Sequence, residues 1–172
     1  YIYAEALMNR ECDFEAVRDD YFAHIYGEDW KDALSLLSRI STAFDYEFTS
    51  GRKSKKPEAS KFYNPDMLPL LESVKELANE ERALVAKHMA MPTRPQTVSW
   101  RLLGYHATYI ELFADILIAK AKGHSYTAKE AVARFEEVFG KYEIEIERYY
   151  DHSLACRVLE HITRKPQGII LD

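Results

Sequence analysis

Along most of the chain apolar residues recur every three or four positions, and the breaks between these runs fall at glycine, proline and helix-capping residues. After a short first helix ending near Met8 and a turn over residues 9–12, Asp13 is placed to cap a second helix. Phe14, Val17, Tyr21, Phe22 and Ile25 form its apolar face, and Gly27 follows Tyr26 as its stop. A third helix is predicted over 30–48 from Leu34, Leu37, Ile40, Ala43, Phe44 and Phe48, ended by Gly51. Residues 51–63 carry no periodic signal and read as an irregular loop.

Asn64 followed by Pro65 is a helix start, since proline at the first helical position gives up an N–H that has no partner there. The helix it opens, over 65–89, carries Met67, Leu70, Leu71, Val74, Leu77, Leu84, Val85 and Met89, and Met91 with Pro92 closes it. Thr93 with Gln96 has capping-box spacing and opens a fifth helix over 94–122, with Leu102, Leu103, Tyr109, Ile110, Phe113, Ile116 and Leu117 apolar. Lys120 and Lys122 suit the negative end of its dipole, and Gly123 ends it. Thr127 with Glu130 repeats the capping spacing before a sixth helix carrying Val132, Phe135, Val138, Phe139, Tyr142, Ile146 and Tyr149. A bend near 151–153 would let Ser153 recap a short seventh helix to about Ile162. Residues 163–172 are an irregular tail whose Ile169, Ile170 and Leu171 would dock on the core or pair as a short strand.

The class these elements define is all-α, a bundle of five to seven helices in one domain over 1–172. Its short 91–93 connection forces 65–89 and 94–122 into a long antiparallel hairpin, each arm roughly 38 Å long at 1.5 Å per residue. The chain opens on Tyr1 without methionine and inside a helical pattern, so it reads as a piece of a longer, multidomain protein.

Composition narrows the functions. A length of 172 residues is enough for a core without metal or disulfide staples. Net charge is −5, which argues against a nucleic-acid partner, and Arg52, Lys53, Lys55, Lys56 and Lys61 are a solvated loop cluster that also holds Glu58. No uninterrupted apolar run reaches the roughly 20 residues of a membrane span. Cys12 and Cys156 lack the close spacing of a zinc site and read as two free thiols, with a disulfide as the alternative.

Catalytic constellations are missing from the pattern. A di-iron bundle needs Glu three residues before His on two helices, and the residues at that offset are Tyr21, Val85, Leu103, Ala121, Tyr149 and Val158. Asp20 and His24 share a helix face, and His88 and His106 lie on adjacent arms of the hairpin. Together they are the only candidate metal set, against the plainer reading of a surface pair and hydrogen-bonded core histidines. Serine-nucleophile and phosphate-loop motifs do not occur, so no catalytic residue, metal or cofactor is assigned.

Aromatics make up 13% of the chain, most of them on helix stripes where core packing explains them. Those that stand off the stripes or beside a cap or loop, Trp30, Phe62, Tyr63, Trp100 and Tyr126, are the candidate contact surface, since Trp and Tyr join an apolar face to a polar handle.

Residues 3–30 (YAEALMNRECDFEAVRDDYFAHIYGEDW) resemble a segment of large carbohydrate-active proteins. There, a helical region follows a (β/α)8 barrel related to α-glucuronidases, within an uncharacterised glycoside-hydrolase-like family. The elements that match are Leu7, Met8 and Asn9 at a helix end, Cys12 and Asp13 before the next helix, and Phe22 with Tyr26 and Gly27 closing it. The chain departs from the family where Pro and Ala usually follow Tyr-Gly, having Glu28, Asp29 and Trp30 instead, and at Met8, where an aromatic is common.

The resemblance implies a non-catalytic accessory domain of a secreted or cell-surface glycoside-hydrolase-like parent. In that reading the domain supports the N-terminal barrel or forms a homodimer, with Tyr3, Phe22, Tyr26 and Trp30 as packing anchors and the catalytic acids left to the barrel. The alternative is a carbohydrate-binding module using the exposed aromatics; an autonomous metal-dependent enzyme ranks third.

Overall fold

The computed structural model describes residues 2–9 and 11–163; the side chains of Ile2, Tyr3, Ala6, Ser125, Tyr126 and Thr163, and the tail with its Ile169–Leu171 triplet, lie outside the described residues. Among the described residues there is no strand. The elements are α1 (Ile2–Met8), α2 (Phe14–Tyr26), α3 (Trp30–Phe44), α4 (Tyr46–Thr49), a 3-10 turn (Pro65–Met67), α5 (Leu68–Ala86), α6 (Arg94–Lys122), α7 (Ser125–Gly140), α8 (Glu143–Ile146) and α9 (His152–Thr163). Six of these helices have twelve or more residues, which makes the chain the all-α bundle that its periodicity predicts.

Several ends form as the side chains require. Asp13 Oδ1 accepts from the N–H groups of Glu15 (2.9 Å) and Ala16 (3.3 Å), and Gly27 closes α2 at φ 78°, a backbone that a Cβ would strain. Asn64 Oδ1 accepts from the Asp66 N–H at 3.2 Å, while its Nδ2 donates to the Lys53 carbonyl at 2.8 Å. Thr93 caps α6, and Gly123 ends it in the left-handed region at φ 86°.

Other ends differ from the pattern. The third helix stops at Phe44 because Asp45 takes a positive φ of 49°. Its side chain then caps α4 through the Phe48 N–H at 3.1 Å and pairs with Lys53. The buried stripe of α3 is Ala33, Leu36, Ile40 and Ala43, with Leu34 and Leu37 only half-buried. The helix after Pro65 ends at Ala86 rather than Met89, leaving Met89 in solvent. Thr127 is not a cap, since α7 already starts at Ser125. The sixth predicted helix is cut after Gly140, and Asp151 rather than Ser153 caps α9, accepting from the Leu154 N–H at 2.8 Å.

α5 and α6 are the antiparallel hairpin, joined by residues 87–93, with 19 and 29 residues. Three apolar clusters lie along it. Tyr26, Ala33, Val85, Trp100 and Leu103 form the first, near the N-terminus of α6. The second, at mid-length, is Leu36, Ile40, Ala43, Val74, Leu77, Ala78, Ile110 and Ala114. The largest, around Leu71, Ile116, Leu117, Phe135, Phe139 and Leu159, gathers α7 and α9 at the other end. Ion pairs tie the layers at the rim: Arg39 grips Glu80 with two bonds of 2.6 and 3.0 Å between α3 and α5, and Arg82 reaches Glu111 at 2.5 Å between α5 and α6. Among the described residues α6 alone is long and apolar enough to cross a membrane, with a mean hydropathy of 1.3 in its most apolar stretch. Here it is the helix against which α2, α5 and α7 pack.

Candidate functional site

Two places in the fold concentrate side chains beyond ordinary packing, and the first is a polar seam inside the N-terminal cluster. Trp100 is wholly buried, and its Nε1–H donates to the Tyr26 carbonyl at 3.0 Å. Its ring stacks on His88 at 4.0 Å with planes 10° apart and takes the edge of Tyr26 at 4.9 Å. His88 Nδ1 sits 2.8 Å from the Leu84 carbonyl, which calls for a proton on that nitrogen. Its Nε2 meets Asp29 Oδ2 at 2.8 Å, a contact that needs a second proton between them.

His106 Nδ1 lies 2.8 Å from Glu81 Oε1. Glu81 is fully shielded from solvent and its Oε2 has no hydrogen-bond partner. Burial, then the neighbouring Tyr21 and the charge of Glu81, push the Tyr26 hydroxyl up to about 12.

Each histidine contacts a carboxylate of its own, His88 buried and His106 half-exposed. Among the described residues no three of His, Cys, Asp and Glu gather as metal ligands, Asp20 and His24 included. On α9 the Cys156 Sγ lies 3.5 Å from His152 Nε2, a nucleophile-like pair by spacing. Burial, followed by the charges of Glu136, Glu160 and Glu143, pushes that thiol up, away from the thiolate that nucleophilic attack needs. Both cysteines are free.

Because the native Tyr26 pKa is raised from 10.0 to about 12, the folded state holds its proton where the unfolded state has lost it. Stability is therefore complete below pH 10 and falls between pH 10 and 12, by at most about 1.4 kcal/mol per pH unit from this group. Tyr109 and Tyr150, also held protonated by burial, add to the same fall, so urea unfolding at pH 9, 10 and 11 should show a slope that Tyr26→Phe makes shallower; equal slopes in the two proteins would refute the assignment.

The second place is the corner where α1 meets α2. Leu7 is 68% exposed, Met8 88% and Phe14 57%, and Tyr21, two helical turns beyond Phe14 on the same face, is also exposed. The rest of α2 packs on the core, with Tyr26 buried and Phe22 and Ile25 beside it. A tight turn, Asn9 N–H to the Glu5 carbonyl at 2.8 Å and Cys12 N–H to the Asn9 carbonyl at 3.1 Å, holds the two helix ends together.

The sequence-derived contact residues scatter. Two of them are buried rather than exposed: Trp100 belongs to the seam, and Phe62 packs edge-on to Phe48 with centroids 6.1 Å apart and reaches the surface only at the edge of a groove beside α9. Trp30 and Tyr63 are half-buried, with Lys31 Nζ 5.5 Å over the first ring and Lys56 Nζ 5.2 Å over the second. Trp30 packs on the Trp100 cluster, while Tyr63 adjoins Asn64, whose N–H donates to the Ala121 carbonyl. The 21 residues of α6 from 100 to 121 put them roughly 30 Å apart. The Tyr126 and Tyr3 side chains lie outside the described residues. Phe22 and Tyr26 serve the domain's own core rather than a neighbour's.

Three residues were not singled out by the sequence as functional. Glu81 sits on the buried stripe Val74, Ala78, Val85, where a charge is a signal in itself. The exposed Leu7 and Met8 end a helix too short for its period to be read. No family model, curated protein or solved structure matches the chain, so the resemblance over residues 3–30 rests on those residues alone.

Proposed function

We propose that the chain is a non-catalytic helical accessory domain whose working surface is the apolar corner of α1 and α2. The observation that carries this reading is the exposure of Leu7, Met8 and Phe14 where α1 meets α2, a helix that elsewhere packs on the first cluster through Phe22, Ile25 and Tyr26. Burying each such side chain against a neighbour is worth about 1.5–3 kcal/mol, a gain that the isolated domain leaves unused. The polar seam supports the same reading, because its histidines and carboxylates are turned on each other.

The corner includes Leu7, Met8 and Asn9, one of the elements on which the glycoside-hydrolase resemblance rests. In that light the neighbour is the barrel of the same parent chain, and in its absence a second copy of this domain. A carbohydrate-binding role is less well supported, since a lysine already stands over each half-exposed ring and the two rings are at opposite ends of α6.

In sedimentation velocity the chain should self-associate as its concentration is raised, and Phe14→Asp should return it to monomer with an unchanged melting temperature. A wild-type chain that remains monomeric and binds no apolar dye would defeat the proposal.

A further inference from the structure

At the far end of the bundle from the corner, α9 and the 57–62 loop enclose a groove of about 680 Å³, within the size range of small-molecule sites. Its apolar wall includes Phe62, Leu154, Val158 and Ile162; Leu154 and Val158 stand one helical turn apart and are 52% and 51% exposed. Its polar lining has a single sign. Lys61, Lys120, Arg157 and His161 contribute to it with the hydroxyls of Thr49, Ser50 and Ser60, and among the described residues no Asp or Glu lines it.

That balance is unusual in a chain of net charge −5. Several cations elsewhere are paired, as in Arg39–Glu80, Lys53–Asp45, Lys55–Asp66 and Arg82–Glu111, and Lys61 and Arg157 have no carboxylate partner among the described residues. Lys120 is only 3% exposed, so one of the groove's cations sits where water screens it least.

We infer that this groove binds an amphiphile with one carboxylate head and an unbranched apolar tail. The head would meet Arg157 and Lys61 through charge-assisted hydrogen bonds, and the tail would lie along Leu154, Val158 and Phe62. A neutral apolar ligand would leave Lys61 and Arg157 without a counter-charge. A polar anion such as phosphate would leave the leucine–valine wall in water. With a net charge of −5 the chain as a whole does not attract anions, so binding depends on the groove's own cations.

The test is isothermal titration calorimetry of the full chain with sodium decanoate, and with decan-1-ol as the neutral isostere. Decanoate should bind one per chain, decanol roughly tenfold more weakly, with Arg157→Ala costing decanoate a similar factor and added salt weakening it further. Val158→Asp should abolish binding while circular dichroism stays unchanged, since the residue is exposed. Equal affinities for decanoate and decanol, or an Arg157→Ala chain that binds as before, would overturn the inference. So would failure of the full chain to bind; if a chain ended at Thr163 then did bind decanoate, the groove's occupant would be residues 164–172 instead.

Discussion

Trp100→Ala is expected to destabilise the fold by about 3–5 kcal/mol, the range for deleting a large buried aromatic. In a chain of this size that corresponds to a fall in melting temperature of roughly 10–15 °C. Three losses add. The indole leaves a cavity between α2, α5 and α6; the Tyr26 carbonyl loses its donor; and the His88 ring loses the surface on which it stacks. Trp100→Phe separates these contributions, because it keeps most of the packing but removes the N–H. It should cost about 1–2 kcal/mol, mostly from the orphaned carbonyl. Chemical denaturation followed by far-ultraviolet circular dichroism measures both. A loss below 1 kcal/mol for Trp100→Ala would mean that the first cluster does not hold the N-terminal helices to the hairpin.

His106→Ala should be nearly as damaging although the histidine itself is 35% exposed, because it strands a carboxylate that is not exposed at all. Removing one partner of a buried pair leaves an uncompensated charge, and about 2–4 kcal/mol is expected here, reduced from the fully buried case by the solvent that can reach the vacated side. The double variant Glu81→Leu with His106→Ala should recover most of that loss, since the charge is gone and leucine fits the stripe between Ala78 and Val85. A double-mutant cycle by urea unfolding then yields a coupling of one or more kcal/mol. Additive single and double losses would show that the 2.8 Å contact contributes nothing to stability.

How much of this could be read from the chain depends on whether a residue's neighbours are sequential or spatial. Caps are local, so Asp13, Asn64, Thr93 and Gly123 were legible one by one. The break at Asp45 was hidden because Phe48 keeps helical spacing from Phe44 across it, so the apolar period runs on where the backbone does not. A similar masking hid the stop at Gly140, since Tyr142 and Ile146 continue the spacing beyond it.

Trp100 was misread as a surface platform although its context placed it inside. Trp100, Leu103, Ala107, Ile110, Ala114, Leu117 and Ala121 recur at alternating steps of three and four, and all are buried. The alanines dilute that stripe on any hydrophobicity count, while the larger Leu102, Tyr109 and Phe113 suggest a face rotated from the true one. Partners across the bundle, such as Asp29 with His88 or Glu81 with His106, are 59 and 25 positions apart, and no local pattern announces them.

α5 and α6 contribute buried residues to all three apolar clusters, through Val85, Val74 and Leu71 on one arm and Leu103, Ile110 and Ile116 on the other. Of the other helices, α3 reaches the largest cluster only through half-buried Phe44. Amide protons near the middle of the hairpin can therefore exchange only when the whole domain opens, while α1 can fray on its own. The corner offered to a neighbour thus belongs to the least protected part of the domain, and docking there would stiffen it without asking the central pair of helices to move.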